Sequence, residues 1–229
     1  EFFYKKPFEI LDIAVNGLVN ILDFSKKKGV KNFYLASSSE VYQNPTKIPT
    51  DEKEMLKIPD IHNPRYSYGG GKIISELYGI HFAKKYFKKF IIFRPHNVYG
   101  NDMGNEHVIP QFISRFDKLK KGNRFLIYGT GNEQRSFIYI DDFVSGFDRI
   151  FKKGKNREIY NIGTTQKIKI SDLARLVAKI LNKKIQFKKT KILKGSPSIR
   201  CPNINKINKL GFKYEISLEE GIRRIIKLR

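Results

Sequence analysis

The stretch KNFYLASSSEVY, residues 31–42, decides the fold class because it places an uncharged run directly before a cluster of hydroxyl groups. NFYLA, residues 32–36, is bounded by Lys31 and by serines, and such a run is typical of a buried strand in a parallel sheet. The three serines and Glu40 follow the carboxyl end of that strand, where parallel sheets bind their ligands. The stretch therefore predicts a ligand site at this edge of a sheet.

Helices and strands alternate on both sides of this strand. Before it, Pro7 opens a helix predicted to run to Gly29, because apolar residues recur every three or four positions. After it, residues 37–65 contain four prolines and no periodicity, which predicts a long functional loop. The later elements are predicted as helices at 66–87, 108–121, 142–151, 171–181 and 217–228, and as strands at 89–95, 124–129, 134–140, 158–163 and 184–188. This alternation predicts an α/β fold with a mainly parallel sheet.

The composition indicates a globular protein with a large basic excess. Of 229 residues, 45 are Lys or Arg and 22 are Asp or Glu, which gives a formal net charge of +23. We interpret the excess as a solvated face, because the lysines are scattered and no zinc spacing, RNA-binding aromatic motif or helix-turn-helix accompanies them. No metal site is expected. A basic nucleic-acid binder remains an alternative, and a steep salt dependence of DNA or RNA affinity would favour it.

The compartment is expected to be the cytoplasm. Cys201 is the single cysteine, so no intramolecular disulfide can form, and we expect this thiol to be inert. No apolar run approaches the roughly 18 residues of a membrane span, and no membrane partner is expected. The first ten residues also lack the basic-then-apolar order of a signal peptide.

Tyr68 and Lys72 are the first candidate pair for chemistry. They lie four residues apart in a predicted helix, so both side chains lie on one face and the ammonium can approach the phenol. A free phenol has a pKa near 10 and is a poor base at neutral pH, but a neighbouring cation favours the phenolate. The pair is a weak signal by itself in a lysine-rich chain, where the alternative is a solvated lysine on an amphipathic helix. The serine cluster about thirty residues upstream strengthens it.

A strand ending in hydroxyls, then a loop, then a helix with Tyr-x-x-x-Lys resembles the extended short-chain dehydrogenase/reductase family, specifically its NAD-dependent nucleotide-sugar epimerases and dehydratases. The resemblance rests on ordered segments along nearly the whole chain: NGLVNILDFSKKKGVKNFYLASSSEVY, RYSYGGGKIISE, FRPHNVYG, YGTGNEQRSFIYIDD, EIYNIG and RCPNINKINKLGF. It implies a Rossmann-type doubly wound parallel sheet with a smaller C-terminal substrate-binding domain. Residues 1–100 would carry the cofactor part and the active site. Residues 101–229 would mainly bind nucleotide sugar, with 139–165 returning towards the first sheet.

The resemblance also implies roles for individual residues. Tyr68 would take the sugar hydroxyl proton, Lys72 would hold the nicotinamide ribose and lower the pKa of the tyrosine, and Ser38 would hydrogen-bond the same sugar oxygen. The other implied positions are Ala36 and His96 for NAD, with NADP less favoured, and Ser39, Asn97, His107, Arg135 and Arg200 for the nucleoside-diphosphate sugar. His107 could instead be a helix N-terminal residue, and Arg135 an ordinary strand-face cation. A homodimer is expected.

Glu40 separates possible subclasses. Its place two residues after Ser38 resembles nucleotide-sugar 4,6-dehydratases and uronate decarboxylases, in which one carboxylate could remove a C5 proton acidified by a 4-keto group. The alternative is a glutamate that anchors the loop. Asp141 and Asp142 form a second carboxylate pair, which we interpret as capping of the following helix.

Two features depart from the family pattern. Ala14 stands where an asparagine is common, and Gly71 replaces a frequent serine before the lysine. The chain also opens with a helix rather than with a strand and a glycine-rich turn, and GTG at 129–131 is interpreted as an ordinary turn. We therefore expect a C-terminal portion of the enzyme that is inactive on its own. A non-catalytic protein that senses a dinucleotide is the remaining alternative.

Overall fold

The computed structural model describes residues 2–120, 122, 124–189 and 197–229. Its α-helices are α1 Phe2–Lys5, α2 Pro7–Asp12, α3 Leu18–Lys27, α4 Ser67–Tyr86, α5 Val108–Asp117, α6 Ile140–Lys153, α7 Ile170–Ile180, α8 Asn205–Asn208 and α9 Leu218–Lys227. Its strands are β1 Asn32–Ala36, β2 Lys89–Pro95, β3 Val98–Tyr99, β4 Phe125–Ile127, β5 Gln134–Ser136, β6 Ile138–Tyr139, β7 Ile159–Ile162, β8 Lys167–Lys169, β9 Phe187–Lys189 and β10 Ile199–Arg200. Within the described ranges, no helix is both long and apolar enough to cross a bilayer.

The central sheet has the strand order β1-β2-β7, and all pairs are parallel. β2 lies in the middle, and each side chain from Phe90 to Arg94 is at most 9% exposed. A strand covered on both faces is expected to be an apolar run, and FIIF, residues 90–93, is such a run in the centre of β2. The predicted α/β class is confirmed, and β7 joins this sheet from within residues 139–165.

The predicted continuous helix over residues 7–29 is wrong in its middle. A π-helical segment, Ile13–Gly17, separates α2 from α3. The wider π turn leaves the carbonyl of Ala14 available, and the Ser75 hydroxyl of α4 lies 2.7 Å from that oxygen. A Cβ at Gly71 would lie 2.7 Å from the Ala14 Cβ, so the two departures from the family pattern lie against each other and let the helices approach closely.

The later elements build a second core. Phe112, Ile113 and Phe116 of α5 are buried against Phe125 and Ile127 of β4, in a cluster that also includes residues of α7 and α9. α5 was predicted to reach Lys121, which lies outside the described residues, and the helix ends at Asp117. Here β10-β5-β8 contains the antiparallel pair β5·β8, and β4·β9 is parallel.

The capping role predicted for Asp141 and Asp142 is wrong. α6 begins at Ile140, so both aspartates lie in its first turn and neither side chain caps it. The Asp142 carboxylate accepts hydrogen bonds from the backbone amides of Glu215 and Ile216, each at 3.0 Å. It therefore anchors the segment before α9, while Asp141 is exposed.

Candidate active site

The four residues predicted to be catalytic lie near the carboxyl end of β1. Ser38 precedes a short 3₁₀ helix, Ser39–Tyr42, and its Oγ accepts the N–H of Glu40 at 3.1 Å. The side chains of Ser38 and Tyr68 are hydrogen-bonded. Lys72 lies one helical turn after Tyr68 and donates from Nζ to the carbonyl oxygen of Ala36, the last residue of β1, at 2.9 Å. α4 thus brings the phenol of Tyr68 and the ammonium of Lys72 to the carboxyl end of β1, where the sequence predicts a ligand site.

The electrostatics of this group differ from the expectation for Tyr68. Burial raises the pKa of Tyr68, and the negative charge of Glu40 adds to this, while the hydrogen bond to Ser38 acts in the opposite direction. Burial lowers the pKa of Lys72. The predicted lowering of the Tyr68 pKa by Lys72 is not found, because Lys72 Nζ donates to Ala36 and lies 5.8 Å from the centre of the Tyr68 ring.

Gly69 allows α4 to approach the 3₁₀ helix. A Cβ at position 69 would lie 2.9 Å from the backbone oxygen of Glu40 and closer still to the side chain of Gln43. Contacts of this kind are not accommodated without a backbone shift. The missing side chain at Gly69 therefore sets the distance between Tyr68 and Ser38.

An apolar cleft of about 440 Å³ opens beside Tyr68 and Lys72. Its walls are side chains between Ile10 and Ile21, together with Leu35, and Ser75 lies at the same cleft. Apolar walls with a few polar groups are typical of small-molecule and cofactor sites. The cleft therefore has the character of a small-molecule or cofactor site.

Glu40 is held by Arg200, a residue 160 positions later in the chain. The two side chains form a bidentate pair, with Nη1–Oε1 at 2.5 Å and Nη2–Oε2 at 2.9 Å. Burial alone would raise the pKa of Glu40, but Arg200, with weaker fields from Arg65 and Arg135, holds it below its ordinary value. Glu40 is therefore an ionised carboxylate whose two oxygens are both bound to Arg200.

Arg135 and Arg200 are register partners in the parallel strands β5 and β10. Burial and the charge of Arg200 lower the pKa of Arg135 to about 10, which still leaves it cationic at neutral pH. Arg135 Nη2 donates to the carbonyl of Pro197 at 2.8 Å. One buried guanidinium group, of Arg200, and one half-buried group, of Arg135, lie beside one carboxylate and leave a net positive charge at this point.

The other three residues predicted to bind substrate do not share one environment. Ser39 is buried in the 3₁₀ helix. Asn97 has a left-handed backbone (φ 44°), and its Nδ2 donates to the carbonyl of Ser136 at 2.8 Å. His107 occupies the position before α5, as one alternative predicted, and its exposed ring lies 3.8 Å from Glu106.

The cofactor role predicted for His96 stays a prediction, and the structure places its ring in the interior. The residue is 1% exposed, and its Nε2 lies 3.2 Å from Oδ1 of Asn161. Burial lowers the pKa of His96 to about 3, so the ring is neutral and part of the interior. The backbone amide of His96 donates to the carbonyl of Ile162 at 2.9 Å, which holds the residue beside β7.

Sequence reasoning missed a buried polar network behind the site. Arg94 and Glu76 are 2% and 3% exposed, and Arg94 Nε donates to Glu76 Oε1 at 2.8 Å. Arg94 Nη1 donates to the Tyr42 hydroxyl at 2.7 Å, and that hydroxyl donates to Asn161 Oδ1 at 2.8 Å. A charged residue inside an apolar strand was the available signal, because a buried cation requires a partner.

The comparisons with known proteins agree with this geometry. The model of the NAD dependent epimerase/dehydratase family matches residues 3–163. A putative UDP-glucose 4-epimerase of Methanocaldococcus jannaschii is 32% identical over 219 residues, which cover 94% of this chain and 68% of that protein. A dTDP-D-glucose 4,6-dehydratase of Mus musculus is 28% identical over 231 residues, which cover 98% of this chain and 62% of that protein.

A solved structure has the same fold. The UDP-glucose 4-epimerase of Thermotoga maritima with UDP-glucose superposes with a TM-score of 0.87 and 27% identity, over 97% of this chain and 71% of that one. The chain thus spans about two thirds of the length of these relatives.

Proposed function

The chain belongs to the NAD dependent epimerase/dehydratase family, and from that membership we propose that its site transiently oxidises C4 of a nucleoside-diphosphate sugar, with Tyr68 as the base. The observation that carries the proposal is the Ser38–Tyr68 hydrogen bond beside Lys72, at the carboxyl end of β1. Ser38 positions the sugar hydroxyl, and Tyr68 accepts its proton. Lys72 is the cation that the phenolate requires when it moves from the Ala36 carbonyl towards the phenol.

The residues present fit the nicotinamide end of NAD. The apolar cleft meets the polar groups of Tyr68, Lys72 and Ser75 at one wall, which suits a flat ring bearing an amide and a ribose. When bound there, NAD supplies the hydride acceptor for the oxidation. The chain's own part is to orient the sugar, move one proton and exclude water.

Arg135 and Arg200 are proposed to bind the diphosphate of the substrate. The two residues lie on adjacent strands, and guanidinium groups are the side chains that best suit phosphate oxygens. Glu40 compensates one of the two charges and fixes the Arg200 fork. The remaining positive charge favours an anionic ligand at this point.

The 4,6-dehydratase or uronate decarboxylase reaction is the second candidate, since Glu40 directly follows the Ser38–Ser39 pair. The ion pair between Glu40 and Arg200 favours the alternative in which Glu40 anchors the loop. A carboxylate whose pKa is held low by Arg200 is a weak base. A cytoplasmic homodimer also remains part of the proposal. The exposed apolar side chains Ile74, Leu77 and Tyr78 of α4 support it, and sedimentation velocity tests it.

Product analysis in D₂O tests the function and the role of Glu40 together. Full-length protein is incubated with UDP-glucose, dTDP-glucose and UDP-glucuronate, and products are identified by mass spectrometry and NMR. We expect a C4 epimer without solvent deuterium at C5. Glu40→Gln is expected to raise KM about tenfold, because Arg200 loses its charged partner. The control Glu219→Gln, from an exposed pair with Arg223, is expected to leave KM unchanged.

Two outcomes would contradict this assignment. Deuterium at C5 that appears with wild type and disappears with Glu40→Gln would establish the dehydratase or decarboxylase reaction. No conversion of any of the three sugars, with no reduced nicotinamide on mixing, would remove the proposed function.

Gly69→Ala is expected to lower kcat about a hundredfold, because the new Cβ pushes α4 away from Glu40 and misplaces Tyr68 relative to Ser38. Gly70→Ala is the matched control. A Cβ there meets Cδ1 of the Ile58 side chain at 3.1 Å, and that exposed side chain can move. Steady-state rates and thermal melts of both variants measure the effect on catalysis and on stability. Equal kcat values for the two variants would show that Gly69 does not set the position of Tyr68 relative to Ser38.

A further inference from the structure

Three segments that join a helix to the next strand are strongly basic. KKKGVK, residues 26–31, leads from α3 to β1, KKYFKK, residues 84–89, leads from α4 to β2, and KKGKNR, residues 152–157, leads from α6 to β7. Each segment contains four basic residues and no acidic residue. We call the surface formed by these three segments the amino-edge face.

The amino-edge face is contiguous because β1, β2 and β7 are neighbours and parallel. The backbone amides of Lys88 and Lys89 donate to the carbonyl of Lys31 at 2.9 and 3.1 Å. Asn156 Nδ2 donates to the carbonyl of Lys88 at 2.9 Å. The three segments therefore touch one another, at the edge of the sheet opposite to Ser38 and Tyr68.

The charge of this face is hardly compensated. Lys152 pairs with Asp148 at 2.9 Å, and no other basic side chain of the face pairs with a carboxylate in the described part of the chain. Glu158, which follows the third segment, is paired with Lys206 at 2.6 Å. Neighbouring strands are about 4.8 Å apart, which is shorter than the Debye length of about 8 Å at physiological salt, so these cations repel one another.

Helix dipoles explain only half of the cluster. Cations in the last turn of a helix interact favourably with its carboxyl end, and each of the three helices has two there. The other basic residues of the face lie beyond the helix ends: Lys28, Lys31, Lys88, Lys89, Lys155 and Arg157. These residues have no such compensation, which suggests an external anionic partner.

We propose that the amino-edge face docks the protein peripherally on an anionic lipid bilayer. All its basic residues except Arg157 are lysines, and a hydrated ammonium without a planar fork suits a diffuse layer of headgroups better than base or phosphate recognition, for which arginine is preferred. Phe24 and Phe151 flank the cations and are 55% and 54% exposed. Exposed aromatic rings among lysines are a feature of surfaces that insert into a membrane interface.

The orientation agrees with a working enzyme, although the inference does not depend on the proposed function. The candidate site lies at the carboxyl ends of the strands, whereas the cations lie at the amino ends. Docking through the amino-edge face would therefore leave the cleft beside Tyr68 open to water.

Co-sedimentation with vesicles tests the proposal. We expect binding to phosphatidylcholine vesicles that contain phosphatidylserine, no binding to pure phosphatidylcholine, and release by added salt. A charge-reversed variant is expected to bind about a hundredfold less tightly or worse; its substitutions are Lys28→Glu, Lys31→Glu, Lys88→Glu and Lys155→Glu. The control variant has the same net charge but is changed at scattered exposed positions, and we expect it to lose far less affinity for the vesicles. Its substitutions are Lys53→Glu, Lys169→Glu, Lys213→Glu and Lys227→Glu.

Three results would overturn the proposal, provided that circular dichroism shows both variants folded. One is the absence of binding to phosphatidylserine vesicles. Another is an equal loss in both variants, which would show that net charge rather than the amino-edge face is responsible. The third is tighter binding of single-stranded RNA than of vesicles, lost in the first variant alone, which would assign the face to a nucleic acid.

Discussion

Replacing Tyr68 by phenylalanine is expected to lower kcat about a thousandfold while the affinity for the sugar nucleotide stays within a few-fold of wild type. The substitution removes only the hydroxyl that hydrogen-bonds Ser38 and keeps the ring beside the apolar cleft. General acid–base groups typically accelerate a reaction by a factor of about 10² to 10⁴. Because Tyr68 is the sole proposed proton acceptor, we expect kcat to fall by a factor in that range. Steady-state kinetics and isothermal titration with the nucleotide sugar measure the two quantities separately.

Tyr78→Phe is the matched control for this experiment. It makes the same chemical change in the same helix, but at an exposed position outside the lining of the cleft. We expect this variant to keep wild-type rates. A Tyr68→Phe enzyme whose kcat resembles that of Tyr78→Phe would exclude Tyr68 as the base.

Arg94→Met is expected to reduce the free energy of unfolding by about 3–5 kcal/mol, because it leaves the Glu76 carboxylate buried without its cation. The change also removes the hydrogen bond from Arg94 to the Tyr42 hydroxyl, at the end of the 3₁₀ helix that follows Ser38. Equilibrium unfolding in urea measures the loss. Met keeps an unbranched apolar stem like that of Arg, so we expect the loss of the charge to outweigh the loss of stem packing.

An exposed ion pair supplies the control for Arg94. Arg223 Nη2 pairs with Glu219 Oε1 at 2.7 Å on the surface of α9, and Arg223→Met is expected to cost about 1 kcal/mol or less. The double variant Arg94→Met, Glu76→Leu is expected to recover most of the stability, because no unpaired charge then remains buried. A loss for Arg94→Met no larger than that for Arg223→Met would show that the buried pair does not stabilise the fold.

Local patterns were sufficient for the elements that carry the candidate catalytic groups. The uncharged run 32–36 became β1 at the predicted residues, and α4 extends over 67–86 against a predicted 66–87. Tyr68 and Lys72 share a helix face because their spacing matches one turn, whatever the rest of the chain does. The π segment at Ile13–Gly17 was not predictable in this way, because it is supported by the hydroxyl of Ser75, sixty-one residues away.

The amino-acid sequence by itself determined the alternation of helices and strands, the family, and the strand end at which Ser38, Tyr68 and Lys72 meet, since these follow from hydrophobic periodicity and from residues close together in the chain. The tertiary structure alone decided which charges are compensated. Glu40 meets Arg200 across 160 residues, Arg94 meets Glu76 in the interior, and three distant lysine-rich segments become one surface. The physical reason is that Coulomb energy and burial depend on distances in space, which the order of strands in the sheet sets and a one-dimensional pattern does not contain.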